Sequence, residues 1–189
     1  MARTVFTCTP AATQSSVSFM GIVNQLHTAL TEVGFVQTSD TGQLNLMSTP
    51  TLAASTMVGY LIYEMDDAYS TTAPIYLRVE LWAITTSFKF GVGVQIGRAT
   101  DGSGTLVGTA SPVYNGYGSS TTRPTTSTIY VCRIDGAFVI YFPQASTTTG
   151  EMVCPMFVAV ERARGMDGSY RDDALFFVRL GSTAPGLLS

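Results

Sequence analysis

Asp66 and Asp67 end an apolar run, with Glu64 two residues before Asp66. Carboxylates clustered at a strand end have the chemistry to bind calcium or to serve as general acid and base. The chain has only 13 acidic residues, and their spacing assembles no catalytic pair. The simpler expectation is a solvated turn starting at Asp66. His27 is the single histidine, and a triad would have to bring it a nucleophile and an acid from elsewhere. No Gly-x-Ser-x-Gly elbow is present, so His27 is expected at the surface or boundary. Asp101-Gly-Ser-Gly and Asp167-Gly-Ser lack the alternating oxygen ligands and final acid of a calcium loop. Neither has the lysine and following helix of a phosphate loop, so turn chemistry accounts for both. Cys8, Cys132 and Cys154 form no C-x-x-C pair. They are expected as reduced thiols, with a Cys132–Cys154 disulfide open only if their strands are neighbours. No cofactor and no metal site is expected.

Arginine and aromatic residues are better suited to binding than to catalysis. Arg162, Arg164 and Arg171 accompany Asp167, Asp172 and Asp173 in what reads as a mixed-charge loop. Arginine favours bidentate pairing and is enriched at interfaces, so the loop reads equally as an intersubunit salt-bridge surface or as one paired with itself. Tyr60, Tyr63, Tyr69, Tyr76, Trp82, Tyr114 and Tyr117 suit sugar stacking or interface anchoring, although most strand tyrosines simply cover a sheet. Tyr114, Tyr117 and Arg123 mark a candidate receptor loop, with the last two inside the Ser/Thr-rich stretch 115–128 and Tyr114 just before it.

These side chains need a scaffold, and composition bounds it. At 189 residues the chain suits one domain, with 46% apolar and only 12% charged residues. Whole-chain disorder is excluded by that apolar share. No apolar run approaches the roughly 18 residues of a membrane helix, so no membrane insertion is expected. One lysine, Lys89, against nine arginines and a net charge of −3 give no basic face, so no nucleic-acid partner is expected. The first eight residues carry no signal-like apolar core after Arg3, so folding in a cytoplasm is expected.

Periodicity supplies the elements. Phe19, Ile22, Val23, Leu26, Leu30 and Val33 recur every three or four residues and predict an amphipathic helix over 18–33. Gly34 stands where a left-handed cap would end it, and Ser16 or Ser18 would start it. The period then falls to two. Ile75, Leu77, Val79 and Leu81 alternate with Tyr76, Arg78, Glu80 and Trp82. Phe88, Phe90, Val92, Val94 and Ile96 alternate with a face that includes Gly91, Gly93 and Gly97. A glycine face implies close approach by another element, such as the helix or a neighbouring subunit. Further strands are expected at 4–9, 59–65, 152–160 and 174–180, the last two covered on both faces. Asp135-Gly136 predicts a type I′ hairpin between Ile129 and Phe142.

One segment carries a resemblance. Glu32 to Gly108 includes Val36-Gln-Thr-Ser-Asp-Thr-Gly-Gln43, Gly59-Tyr-Leu-Ile-Tyr63, Asp66-Asp-Ala-Tyr-Ser-Thr-Thr-Ala-Pro-Ile-Tyr-Leu-Arg-Val-Glu80 and Val94-Gln-Ile-Gly-Arg-Ala-Thr-Asp-Gly-Ser-Gly-Thr-Leu106. This order resembles a loosely described group of tailed-bacteriophage virion proteins, whose pattern is a helix, a "VQT.DTGQ" turn, a central strand and a "DG.GTL" hairpin end. Met65 to Tyr69 and Leu81-Trp82 depart from that pattern. The resemblance implies a virion component assembled in the host cytoplasm, and it carries no catalytic residue.

The expected fold is mainly β: an antiparallel β-sandwich of about seven to nine strands with one N-terminal amphipathic helix. The alternative is a helix across one open sheet. Residues 1–36 are expected to form an arm and helix, and 37–189 the β-sandwich, as one compact unit. The expected function is structural, at the phage tail, neck or capsid surface, through copies of itself and other virion proteins. The candidate interface is Gly91, Gly93, Gly97, Trp82, Arg162, Arg164 and Arg171. A host-glycan-binding module is the alternative, and an enzyme is not expected.

Overall fold

The computed structural model describes residues 2–8, 15–84, 89–109, 111–114, 127–142, 156–164, 166–167 and 169–180. They form one helix and twelve strands. In chain order these are β1 (Ala2–Cys8), α1 (Ser16–Glu32), β2 (Phe35–Gln37), β3 (Thr56–Met65), β4 (Tyr76–Ile84) and β5 (Lys89–Gly97). They continue as β6 (Ala99–Thr100), β7 (Leu106–Val107), β8 (Val113–Tyr114), β9 (Ser127–Ile134), β10 (Ala137–Phe142), β11 (Met156–Arg164) and β12 (Tyr170–Leu180).

The strands form two separate five-stranded sheets and a two-stranded ribbon, antiparallel throughout. The first sheet runs β1-β9-β10-β11-β12 and the second β2-β3-β4-β5-β8. The strand count exceeds the seven to nine expected, because β6, β7 and β8 are two residues each and too short to show a period. The expected boundary after residue 36 falls inside β2, and β1 is a full member of the first sheet.

Helix α1 follows its apolar stripe. Phe19, Ile22, Val23, Leu26 and Leu30 are all buried. The helix starts earlier than the stripe because Ser15 is its N-cap, accepting from the Ser18 N–H at 3.2 Å. At the other end Gly34 has a φ of 92°, a left-handed geometry suited to glycine. The Gly34 carbonyl accepts from the Asp66 N–H at 3.1 Å and from the Arg133 guanidinium.

One apolar core joins the helix and both large sheets. Phe19 meets Phe90 of β5 edge-on at 5.1 Å, and Phe35 of β2 meets Phe138 of β10 at 5.0 Å. On β4 the alternation holds: Leu77, Val79 and Leu81 point into the core. On β11 it corrects an expectation. Met156, Val158 and Val160 are buried, but Phe157 and Ala159 are half-buried, so the strand is not equally covered on both faces.

The Asp135-Gly136 hairpin is present, with Ile134 opposite Ala137. Its turn is not type I′. Only Gly136 has positive φ, at 73°, whereas type I′ needs both central residues there. Cys132 is half-buried on β9, and Cys154 lies outside the described residues.

Candidate functional site

The polar side chains concentrate on the outer face of the second sheet, opposite the helix. Two stretches fold onto it, residues 38–44 and 100–105, and residues 113–114 form its edge strand β8. The first continues the β2 edge along β3. The Thr38 N–H donates to the Ile62 carbonyl and the Leu44 N–H to the Tyr60 carbonyl, each at 2.9 Å. Between them the chain bulges out, and the Gln43 side chain fills the missing rung. Its Oε1 accepts from the Ile62 N–H at 2.7 Å, and its Nε2 donates to the Thr38 carbonyl at 2.8 Å. A primary amide has the acceptor and donor of a peptide group and can replace one in a ladder.

The second stretch is the tight end of the β6–β7 ribbon. Asp101 Oδ1 accepts from the Ser103 N–H at 2.8 Å and from the Thr105 N–H at 2.9 Å. These bonds favour the ionised form and hold the Asp101 carboxyl down to about 2, although it is exposed. This turn locks onto the first stretch. The Thr41 N–H donates to the Gly102 carbonyl at 2.9 Å, and the Thr100 hydroxyl donates to Asp40 Oδ2.

Tyr60 pins both. Its hydroxyl lies 2.9 Å from the Thr41 carbonyl and 3.3 Å from the Ser103 carbonyl. Gly42 and Gly104, with φ of 80° and 103°, leave room for it; a Cβ on Gly42 would lie 2.6 Å from the hydroxyl. The glycines at these places therefore meet two demands, a left-handed backbone and the passage of a tyrosine.

The Tyr60 ring lies under the Arg78 guanidinium, 4.7 Å from ring centroid to Cζ. Arg78 pairs with Glu80 at 2.9 Å. Glu80 is only 6% exposed, yet its carboxylate has three partners. Besides Arg78, Oε2 accepts from the Tyr114 hydroxyl at 2.9 Å and the Trp82 indole N–H at 3.2 Å. Burial, then the Glu80 charge and hydrogen bond, push the Tyr114 phenol up to about 12. It is therefore a donor at neutral pH and no nucleophile.

This network corrects several expectations. Tyr114 is 7% exposed and faces inward to Glu80, so it offers no exposed platform to a receptor. Its companions Tyr117 and Arg123 lie outside the described residues. The glycine face of β5 is covered by the chain itself. A Cβ on Gly93 would meet the Tyr114 ring, 2.6 Å from Cδ1, and one on Gly97 would lie 2.8 Å from Leu106 Cβ. Gly91 is buried opposite Trp82. Tyr114 and Leu106, and not the helix, lie against Gly93 and Gly97. Trp82 is half-buried and packs edge-on against Tyr114 at 6.1 Å.

The expected Arg162–Asp173 loop is also different. Arg162 and Arg164 belong to β11, and Arg171 belongs to β12, leaving residues 165–169 between the strands. Arg162 is fully buried and forms a fork with Asp67: Nε to Oδ2 at 2.9 Å and Nη2 to Oδ1 at 3.0 Å. Its Nη1 donates to the Ala73 carbonyl at 2.6 Å, and its Cζ lies 5.4 Å from the Tyr69 ring centroid. Asp67 also accepts from the Tyr69 N–H at 3.0 Å. Both side chains of the pair have 0% exposure, so the turn expected to be solvated is half right: Asp66 is exposed and Asp67 is not. The pair ties the first sheet to the β3–β4 connection within one chain. It is unavailable for an intersubunit contact or for acid–base work.

His27 completes the inventory. It is half-buried, with Nδ1 3.0 Å from the Tyr63 hydroxyl. Burial lowers the His27 pKa and raises that of Tyr63. Among the described residues, no three His, Cys, Asp or Glu side chains are placed to hold a metal ion. Comparison with protein families, with curated proteins and with solved structures finds no match to this chain.

Proposed function

We propose that the chain is a structural component of a tailed-phage virion, at the tail, neck or capsid surface. It acts through copies of itself and by docking on other virion proteins, with its two large sheets read as a β-sandwich over a shared core. One observation carries the reading. The residues behind the resemblance, in the turn 36–43, the strand at Tyr60 and the hairpin 100–105, converge on one interlocked unit. Asp40, Gln43, Tyr60, Thr100 and Asp101 are all bonded within it. A motif spent on fixing backbone is what a load-transmitting surface needs, since rigid preorganised surfaces lose less entropy on assembly. Of the tyrosines suited to glycan stacking, Tyr63 and Tyr114 are buried, which favours the structural reading, and Tyr117 and Arg123 lie outside the described residues.

The test is association with particles. A tagged copy of the chain should co-sediment with density-purified virions of the phage that encodes it, and gold-labelled antibody should mark one site on each particle. Recovery of the chain only in the soluble lysate, with particles free of it, overturns the reading.

A further inference from the structure

The first sheet is apolar on both faces. Its inner face lies in the core. On its outer face, cross-strand register sets Tyr130, Tyr141 and Phe157 in one row over β9, β10 and β11, and Cys132, Val139 and Ala159 in the next. All six are half-buried. Tyr130 and Tyr141 stack at 6.0 Å and Tyr141 meets Phe157 edge-on at 6.1 Å, so the first row is one aromatic strip. Ile134, at the β9 end of a third row, is 44% exposed. A sheet face turned to water normally carries polar residues, as the Arg78–Glu80 face of the second sheet does. Across these three rows the single charged side chain is Glu161, at the corner opposite Ala137.

An apolar sheet face left half in solvent marks an interaction site, and tyrosine suits one because its ring is apolar and its hydroxyl tolerates water. The footprint bounds the contact. Five strands span about 24 Å and pair over about six residues, ~20 Å, which gives roughly 500 Å² per copy before side-chain relief adds to it. Two such faces together bury roughly 1,000 Å² or more, the size that a specific interface needs. The charge pattern favours a second copy as the occupant. An uncharged centre offers nothing to attract a charged partner and nothing to repel its own copy. Two sheets can stack face to face ~10 Å apart with their apolar rows interdigitated. β10 is the middle strand of the five, and Val139 is the middle of its outward residues. A two-fold axis at Val139 therefore gives the greatest overlap and sets that residue against itself.

We propose that two copies of the chain stack the outer faces of their first sheets about a two-fold axis at Val139. This rests on the self-association read above and gives it a surface. A chain that is monomeric yet bound to particles would overturn this step and leave that reading standing.

The test is sedimentation equilibrium of the full chain and of Val139→Glu, Val139→Lys and Tyr141→Ala. The wild type should dimerise. Each charged variant sets two like charges against each other in an apolar contact and should raise the dimer dissociation constant at least roughly tenfold. An equimolar mixture of the two pairs glutamate with lysine across the axis and should dimerise more tightly than either alone. Tyr141→Ala truncates the aromatic strip without adding charge and should also weaken the dimer, which keeps the test decisive if a charged variant does not fold. A wild type that stays monomeric, a dimer unchanged in the folded variants, or a mixture no tighter than its folded components overturns the proposal. If the wild type is monomeric and Val139→Glu alone is lost from purified particles, the face belongs to a different virion protein and the proposal fails.

Discussion

Asp67→Ala would leave the Arg162 guanidinium buried without its counter-charge. Arg162 and Asp67 both have side chains with 0% exposure, and two of the three Arg162 bonds end on Asp67, at 2.9 and 3.0 Å. Among the described residues, only the Arg162 side-chain bond to the Ala73 carbonyl, at 2.6 Å, survives the change. Removing one member of a buried ion pair costs about 3–5 kcal/mol, because the remaining charge is desolvated and unpaired. At roughly 2–4 °C per kcal/mol for a chain of this size, the melting temperature should fall by about 6–20 °C. Replacing both members by apolar residues removes the stranded charge. It still removes the bonds made at the Ala73 carbonyl and the Tyr69 N–H, at about 1 kcal/mol each. The double variant Asp67→Leu/Arg162→Met should therefore be far less destabilised than the sum of Asp67→Leu and Arg162→Met measured singly, with a coupling of at least about 2 kcal/mol among these and the wild type. Urea unfolding of these four proteins and of Asp67→Ala, with the slope held comparable, measures each term. A loss below about 1 kcal/mol for Asp67→Ala, or an additive double variant, would refute the argument that this pair is buried and mutually dependent.

Three further outcomes follow from the outer face of the second sheet. Tyr60→Phe removes the hydroxyl bonded at the Thr41 and Ser103 carbonyls; it should cost about 1 kcal/mol and speed hydrogen exchange at the Thr41 amide, and unchanged exchange would count against the pin. Gly93→Ala forces a methyl into the Tyr114 ring; it should cost about 1–3 kcal/mol in urea unfolding, and the penalty should vanish in a Tyr114→Ala background unless something else lies over Gly93. The Asp101 carboxyl has a folded pKa of about 2, below its ordinary 3.8. Its contribution to stability is thus complete above pH 3.8 and lost as pH falls through about 2. Carboxyl titration by NMR should give that midpoint, with the Ser103 and Thr105 amides shifting alongside it; a midpoint near 4 would show that the turn bonds are not made.

Local patterns were legible because local physics produces them. The three-and-four spacing from Phe19 to Val33 led to α1, and the alternation from Ile75 to Trp82 led to β4. Asp135-Gly136 led to the β9–β10 hairpin, although the type of its turn did not follow, since Asp135 keeps a negative φ. The glycines of β5 did signal a close approach, but not what approaches. Tyr114 reaches Gly93 because β8 joins the sheet beside β5, a pairing of only two residues that leaves no periodic trace.

By itself, the sequence determined that α1 is helical, that β4, β5 and the β9–β10 hairpin are extended, and which faces of α1 and β4 are apolar, because backbone sterics and burial act over a few neighbouring residues. The partners of the charged and hydroxyl side chains were decided only in the tertiary structure. Asp67 and Arg162 are 95 residues apart, Glu80 and Tyr114 are 34 apart, and Tyr60 meets Ser103 across 43. A carboxylate or a guanidinium does not encode its partner, since many groups in a chain satisfy it equally well. The order of strands in the two sheets makes the selection, and that order comes from how the whole apolar core closes.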